Sequence, residues 1–352
     1  MPRNINRFRT CLTAVFSCLA LFTFYSYLTE LYALDDDAIH STSKVDRNTG
    51  IKQEPTDGLQ PQEKKRGYTV GVKVDLVMMY TSVFNKEGQF ISGLKKENFN
   101  LYEDGVPQEI ASFSQEDIPI TMGIILDLSA SMESRIVQVN KAARAFIEAS
   151  NPNDQIFLIG FNDEVELLQG FTNDIDEITD ALENAPVIGG TALYDAIHLG
   201  VEEAHKGDKN KKSIVVISDG EDKDSLYSLN ELVSFVQESD VQVFGIFLNE
   251  LPDKSLFARW WSKSEEEKAF DALKRVSEES GGKTFIPNET NNIHSIVAEI
   301  ASELRNQYSI GYFSNNENRD GSWRRVVIKL DAKAASDPQL RYRRGYYAPK
   351  EK

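Results

Sequence analysis

The sequence predicts a doubly wound α/β domain, a mainly parallel sheet with helices on both faces, inserted into a β-sandwich made from the segments before and after it. Three observations carry this. The middle of the chain alternates short, continuous apolar runs with stretches of helical period, the pattern of parallel strands covered on both faces. Residues 68–113 and 308–347 instead alternate at period two, with turn residues between the runs. Neither of those end segments has enough strands to be stable alone, so the economical arrangement is one sandwich assembled from both.

Taken in order, the chain opens with Arg3, Arg7 and Arg9, then runs uncharged over 10–29 before Glu30 and Asp35, Asp36 and Asp37. Basic residues before an apolar run and acids after it mark export of the downstream chain. As a helix, such a run reaches about 30 Å, the thickness of the hydrocarbon core. Residues 1–33 therefore read as a signal peptide or as an N-terminal membrane anchor, and both remain open. Residues 34–66 are polar, with almost no large apolar side chains, and read as a disordered linker.

The first sandwich segment, 67–117, holds an alternating run at 68–80, a turn at Asn85-Lys86-Glu87-Gly88, and a hairpin about Asp104-Gly105. The α/β segment, 118–306, has strand runs at 122–126, 155–161, 213–218 and 242–248, with helices expected at 136–149, 175–184, 192–205, 229–238, 268–280 and 293–305. The second sandwich segment, 307–350, supplies runs at 308–313, 323–330 and 340–347, separated by Asn315-Asn316 and Asp320-Gly321 turns.

Composition narrows the function. In 352 residues the formal charge is −16, which argues against nucleic acid, since a phosphate-binding face needs clustered Lys and Arg. The two cysteines, Cys11 and Cys18, both lie in the apolar N-terminal run, which leaves the folded part without a disulfide or a thiolate metal site.

The chemistry gathers where the strands end. Asp127-Leu128-Ser129-Ala130-Ser131 follows the first middle strand and Asp219-Gly220-Glu221-Asp222 follows the third, so both emerge at the carboxyl edge of the sheet, where such folds bind ligands. Gly189-Gly190-Thr191 precedes a helix at the same edge. Two carboxylates and three hydroxyls can converge there, all oxygen donors suited to a hard cation such as Mg²⁺, Mn²⁺ or Ca²⁺. Singly, Ser129 or Ser131 is as well explained as a helix cap and Asp219-Gly220 as a turn; their order and placement together favour a site. Asp154, Asp163, Asp195, Glu221 and Asp222 read as turn and cap residues around it.

DxSxS after a buried strand, then GGTALYDA, then SDGED resembles the metal-ion-dependent adhesion site of von Willebrand factor type A domains. The resemblance implies metal ligands at Asp127, Ser129, Ser131, Thr191 and Asp219, with a shell completed by an Asp or Glu of a partner protein. The flanking Glu103-Asp104-Gly105-Val106-Pro107-Gln108 and Arg344-Gly345-Tyr346-Tyr347 resemble exported bacterial proteins of the same superfamily.

Rival signals are weaker. His198, Glu202 and His205 share a helix face, but the apolar stripe of Leu193, Ile197, Val201 and Ala204 sets the histidines on its flank, toward solvent. A hydrolase is the competing class, yet the sequence has no phosphate loop with lysine, no HExxH and no nucleophile elbow. An envelope protein that assembles a larger complex would use the same site as an adhesion module. The loop 249–264 leaves a strand at the same edge and carries Phe257, Arg259, Trp260 and Trp261, residue types favoured at binding hot spots. It is expected to border the site and help choose the partner, with the alternative that the tryptophans fold back as a local cap.

Overall fold

The computed structural model describes residues 75–249, 251, 263–288, 292–331, 334 and 337–350. The N-terminal segment, the linker and Phe257, Arg259, Trp260 and Trp261 lie outside the described residues. Among those described, no helix is long and apolar enough to cross a membrane.

The first sandwich segment contributes β1 (Leu76–Phe84), β2 (Phe99–Glu103), β3 (Val106–Gln108) and β4 (Ile110–Ser114). Asp104 and Gly105 both take positive φ, 47° and 83°, the demand of a tight two-residue hairpin between β2 and β3. The α/β segment follows with β5 (Ile120–Asp127), β6 (Gln155–Phe161), β7 (Val165–Thr172), β8 (Lys211–Ser218), β9 (Val241–Phe247) and β10 (Thr284–Phe285). Its helices are α1 (Ile136–Glu148), α2 (Ile175–Asn184), α3 (Leu193–Lys206), α4 (Leu229–Glu238), α5 (Glu265–Ser280) and α6 (Ile293–Asn306). The chain then returns through β11 (Tyr308–Phe313), β12 (Trp323–Leu330), β13 (Gln339–Arg341) and β14 (Gly345–Tyr347).

The central sheet has the order β10-β9-β8-β5-β6-β7, parallel except for β7 at the edge. Successive residues of β5 serve opposite faces. Ile124 packs in the cluster with Val139, Phe146, Ile178 and Ile296 of α1, α2 and α6, whereas Ile125 packs with Ile197, Leu232 and Leu273 of α3, α4 and α5. All eight residues of β5 are buried, and each of its large apolar side chains contributes about 1.5–3 kcal/mol by leaving water.

The two ends of the chain meet in two further sheets, β13-β1-β11-β4 and β14-β12-β2-β3, which share one core of Met79, Leu101, Tyr308, Ile310, Tyr312, Val326 and Ile328. The run at 340–347, expected as one strand, is two. Tyr342–Arg344 carries the chain from one sheet to the other, and Gly345 lets β14 lie close to β12, since a Cβ there would stand 2.3 Å from the Arg324 carbonyl oxygen. Segment 165–172, not expected to be a strand, forms the β7 edge, its residues half-buried or exposed and without clean alternation.

Candidate functional site

Asp127 is the last residue of β5 and is fully buried. Its Oδ1 accepts from the Ser129 amide at 3.0 Å and the Ser129 hydroxyl at 2.5 Å, and its Oδ2 accepts from Ser218 Oγ at 2.6 Å. Ser129 precedes a short 3-10 turn but does not cap it; its hydroxyl serves Asp127 and lies 3.0 Å from Ser131 Oγ. Ser131, exposed, donates to Asp219 Oδ2 at 2.8 Å. Asp127, Ser129, Ser131 and Asp219 thus form one continuous chain of oxygens that reaches the surface at Ser131 and ends on a second buried carboxylate. Ser218 extends it, holding Asp127 while accepting from the Gly220 amide at 2.8 Å.

The third loop is joined to the other two through its backbone. Ala130 donates its N–H to the Gly189 carbonyl, Ile188 donates to Leu128, and the amides of Lys223 and Asp224 both donate to the Thr191 carbonyl. Thr191 is 3% exposed and its hydroxyl makes no hydrogen bond among the described residues. The hydroxyl oxygen is not itself shut off from solvent, so it is open to water or to a ligand.

The electrostatics are one-sided. Burial pushes the Asp127 carboxyl up to about 6, its serine hydrogen bonds oppose this, and the Asp219 charge adds to the rise. Among the described residues, no Lys, Arg or His forms an ion pair with Asp127 or Asp219, and Lys223 is paired with Glu221 instead.

The surrounding acids hold turns and helix starts. Asp154 takes the amides of Ile120 and Asn151, Asp163 that of Gly190, Asp195 those of Leu226 and Tyr227, and Asp222 that of Tyr194. Sequence reasoning gave no role to Ser218 or Asp224. Ser218 is the first residue of the SDGED motif and Asp224 stands two residues after it, but only the fold shows which groups they reach. One histidine departs from expectation: His198 is stacked between the rings of Tyr227 and Phe235, with centroids 4.2 and 3.9 Å away, because α4 and the loop before it lie over that flank. His205 is exposed, as expected, and faces Asp240. No group of three or more His, Cys, Asp or Glu suited to a metal occurs among the described residues.

Residues 122–221 match the family model described as the von Willebrand factor type A domain. Over those residues the chain carries the sequence pattern of a von Willebrand factor type A domain. Domains of this family are generally protein-interaction modules. An uncharacterised protein of Synechocystis is 30% identical over 111 residues, 30% of this chain and 26% of that one. A second, from Borreliella burgdorferi, is 22% identical over 220 residues, 60% of this chain and 61% of its own, so the chain spans less than two thirds of either relative. Among solved structures, the conserved hypothetical protein BatB from Bacteroides thetaiotaomicron is similar with 18% identity and a TM-score of 0.42, over 53% of this chain and 97% of that one. The von Willebrand factor domain of the type V pili tip protein Mfa5 from Porphyromonas gingivalis gives 12%, 0.43, 53% and 95%.

Proposed function

We propose that this von Willebrand factor type A domain is a metal-dependent protein-binding module of the adhesion type, acting outside the cytoplasm. The carrying observation is the hydrogen-bonded chain Asp127–Ser129–Ser131–Asp219, with the Thr191 hydroxyl, which makes no hydrogen bond among the described residues, on the adjoining loop. The donor set fits a hard divalent cation, and two carboxylates without a cationic partner among the described residues leave a charge for one to offset. Ser129, Ser131 and Thr191 would hold Mg²⁺ through neutral hydroxyls, and Asp127 and Asp219 through carboxylates or intervening water. Mn²⁺ or Ca²⁺ would suit the same oxygens. When bound, the ion supplies an electrophilic centre that a partner's Asp or Glu completes, since Mg²⁺ takes about six oxygens and this set offers five groups. The protein residues fix the direction of approach and keep the carboxylate pair out of bulk water.

The loop 249–264 follows β9, whose carboxyl end lies at the same sheet edge as Asp127 and Asp219; Phe257, Arg259, Trp260 and Trp261 are the partner contacts this reading assigns to it. The N-terminal charge pattern supports export, by signal peptide or anchor. Hydrolysis finds less support: His198 and His205 are engaged elsewhere, and no histidine contacts the oxygens of the site among the described residues.

The test is capture of partner proteins by wild type and Asp127→Ala, each with Mg²⁺ and with chelator. Capture by wild type with Mg²⁺ alone supports the reading; equal capture in all four conditions overturns it.

A further inference from the structure

The helix that begins just after Thr191 lacks a cap of its own. Ala192 stands at the N-cap position, with no side chain to accept from the first free N–H groups of α3. The loop after β8 supplies the missing acceptors. Tyr194 N–H donates to Asp222 Oδ1 at 3.1 Å and to Ser225 Oγ at 3.0 Å, and Asp195 N–H donates to Ser225 Oγ at 3.2 Å. In return the Asp195 carboxylate accepts from the amides of Leu226 and Tyr227. The loop bearing Asp219 and the helix start bearing Thr191 are therefore stitched into one unit.

Within that unit Asp224 has a particular place. Its Oδ2 accepts from the Thr191 N–H at 2.7 Å, while its own amide and that of Lys223 donate to the Thr191 carbonyl. Both backbone polar groups of Thr191 are thereby fixed by one neighbouring loop. The carboxylate reaches this position only because residue 190 is glycine: a Cβ there would lie 1.9 Å from Asp224 Oδ2. Gly190, unlike Gly189 at φ +85°, is not in the left-handed region, so the requirement at 190 is for space.

We propose that Asp224 is a positioning residue for the Thr191 hydroxyl, and that Gly190 serves to admit it. This rests on the reading of Thr191 as a cation ligand. Asp224 touches neither ion nor partner; it acts through the backbone of Thr191, as residues supporting a metal ligand commonly do.

The experiment is Mn²⁺ binding, by calorimetry and by the electron paramagnetic resonance of the free ion, in the full chain. Wild type is compared with Asp224→Ala, Asp224→Asn, Gly190→Ala, Thr191→Val and the Thr191→Val/Asp224→Ala double variant, with melting temperature checked for each. Asp224→Ala and Gly190→Ala are expected to weaken Mn²⁺ by about 10- to 100-fold, and Asp224→Asn, which keeps an acceptor oxygen, to recover most of the loss. In the Thr191→Val background the Asp224→Ala change should add nothing, the non-additivity expected of residues acting through one another. Mn²⁺ binding by wild type with an Asp224→Ala loss of the same size in both backgrounds overturns the inference and leaves the cation reading standing. Absence of Mn²⁺ binding by wild type overturns both.

Discussion

Lys211 opens β8 with 3% of its surface exposed, and its ammonium donates to the Leu304 carbonyl and lies 5.4 Å from the centre of the Tyr80 ring. Among the described residues it forms no ion pair, and burial drives its amine from 10.5 down to about 7, with Glu303 the largest opposing influence. At about 1.4 kcal/mol per pH unit, holding that proton costs the folded chain on the order of 5 kcal/mol. The sign comes from proton counts. Below pH 7 both states are protonated and the whole penalty stands. Between about 7 and 10.5 the folded amine has released its proton while the unfolded one keeps it, so stability rises with pH. From pH 7 to 9.5 the gain comes to roughly 3 kcal/mol. Above pH 10 Tyr80, pushed up to about 12 by burial, begins to act in the opposite direction, which sets the upper limit of a clean window. Lys211→Met keeps the stem and removes the titration. Urea unfolding monitored by circular dichroism at half-unit intervals should show Lys211→Met more stable than wild type at pH 7, the gap closing by about 3 kcal/mol toward pH 9.5. A constant gap across that window would refute the reasoning.

Three further outcomes are expected. Glu103, 2% exposed, accepts from Tyr312, Tyr346 and Ser314 and pairs with buried Arg324, so Glu103→Ala should cost about 3–5 kcal/mol in urea unfolding by stranding the arginine. Gly281 ends α5 at φ +85° with the Arg343 nitrogen 2.5 Å from where a Cβ would sit, and Gly281→Ala should lower stability by about 1–3 kcal/mol through strain and overpacking, read from the urea midpoint. Mg²⁺ at about 100 times its dissociation constant should stabilise wild type by about 2.7 kcal/mol in thermal unfolding, and Asp127→Ala should show no such rise.

Much of the architecture was legible because burial leaves a periodic trace. The central strands are continuous apolar runs, α2 and α4 fall at their expected bounds, and Asp104-Gly105 announces its hairpin. The placement of two acids was legible for a similar reason: Asp127 and Asp219 stand at the ends of apolar runs, so their place at a sheet edge is set by strand direction alone. The hidden features depend on contacts distant in sequence. Edge strand β7 has one solvated side and no alternation. His198 reads as a surface residue until Tyr227 and Phe235 close over it. Asp224 looks like one more loop acid until the fold places it against Gly190, 34 residues away in the sequence. The division of β13 and β14 between two sheets is likewise a property of the sandwich and leaves no local signal.

The β4–β11 pair has a mechanical consequence. The α/β segment departs after Ser114 and returns at Tyr308, and these ends lie side by side, with Ser114 opposite Ser309 in the antiparallel ladder. A pull between residues 76 and 347 therefore enters and leaves through the sandwich, where β1–β11 and β11–β4 carry it as a load on their hydrogen-bond ladders. The inserted sheet is bypassed while those ladders hold. The Asp127 edge stands at the far end of β5, a strand of about 25 Å, and stays outside that load path. Tension on the chain would reach the Asp127 edge only after the sandwich had begun to unzip, so strain is borne at one end while the other stays unloaded.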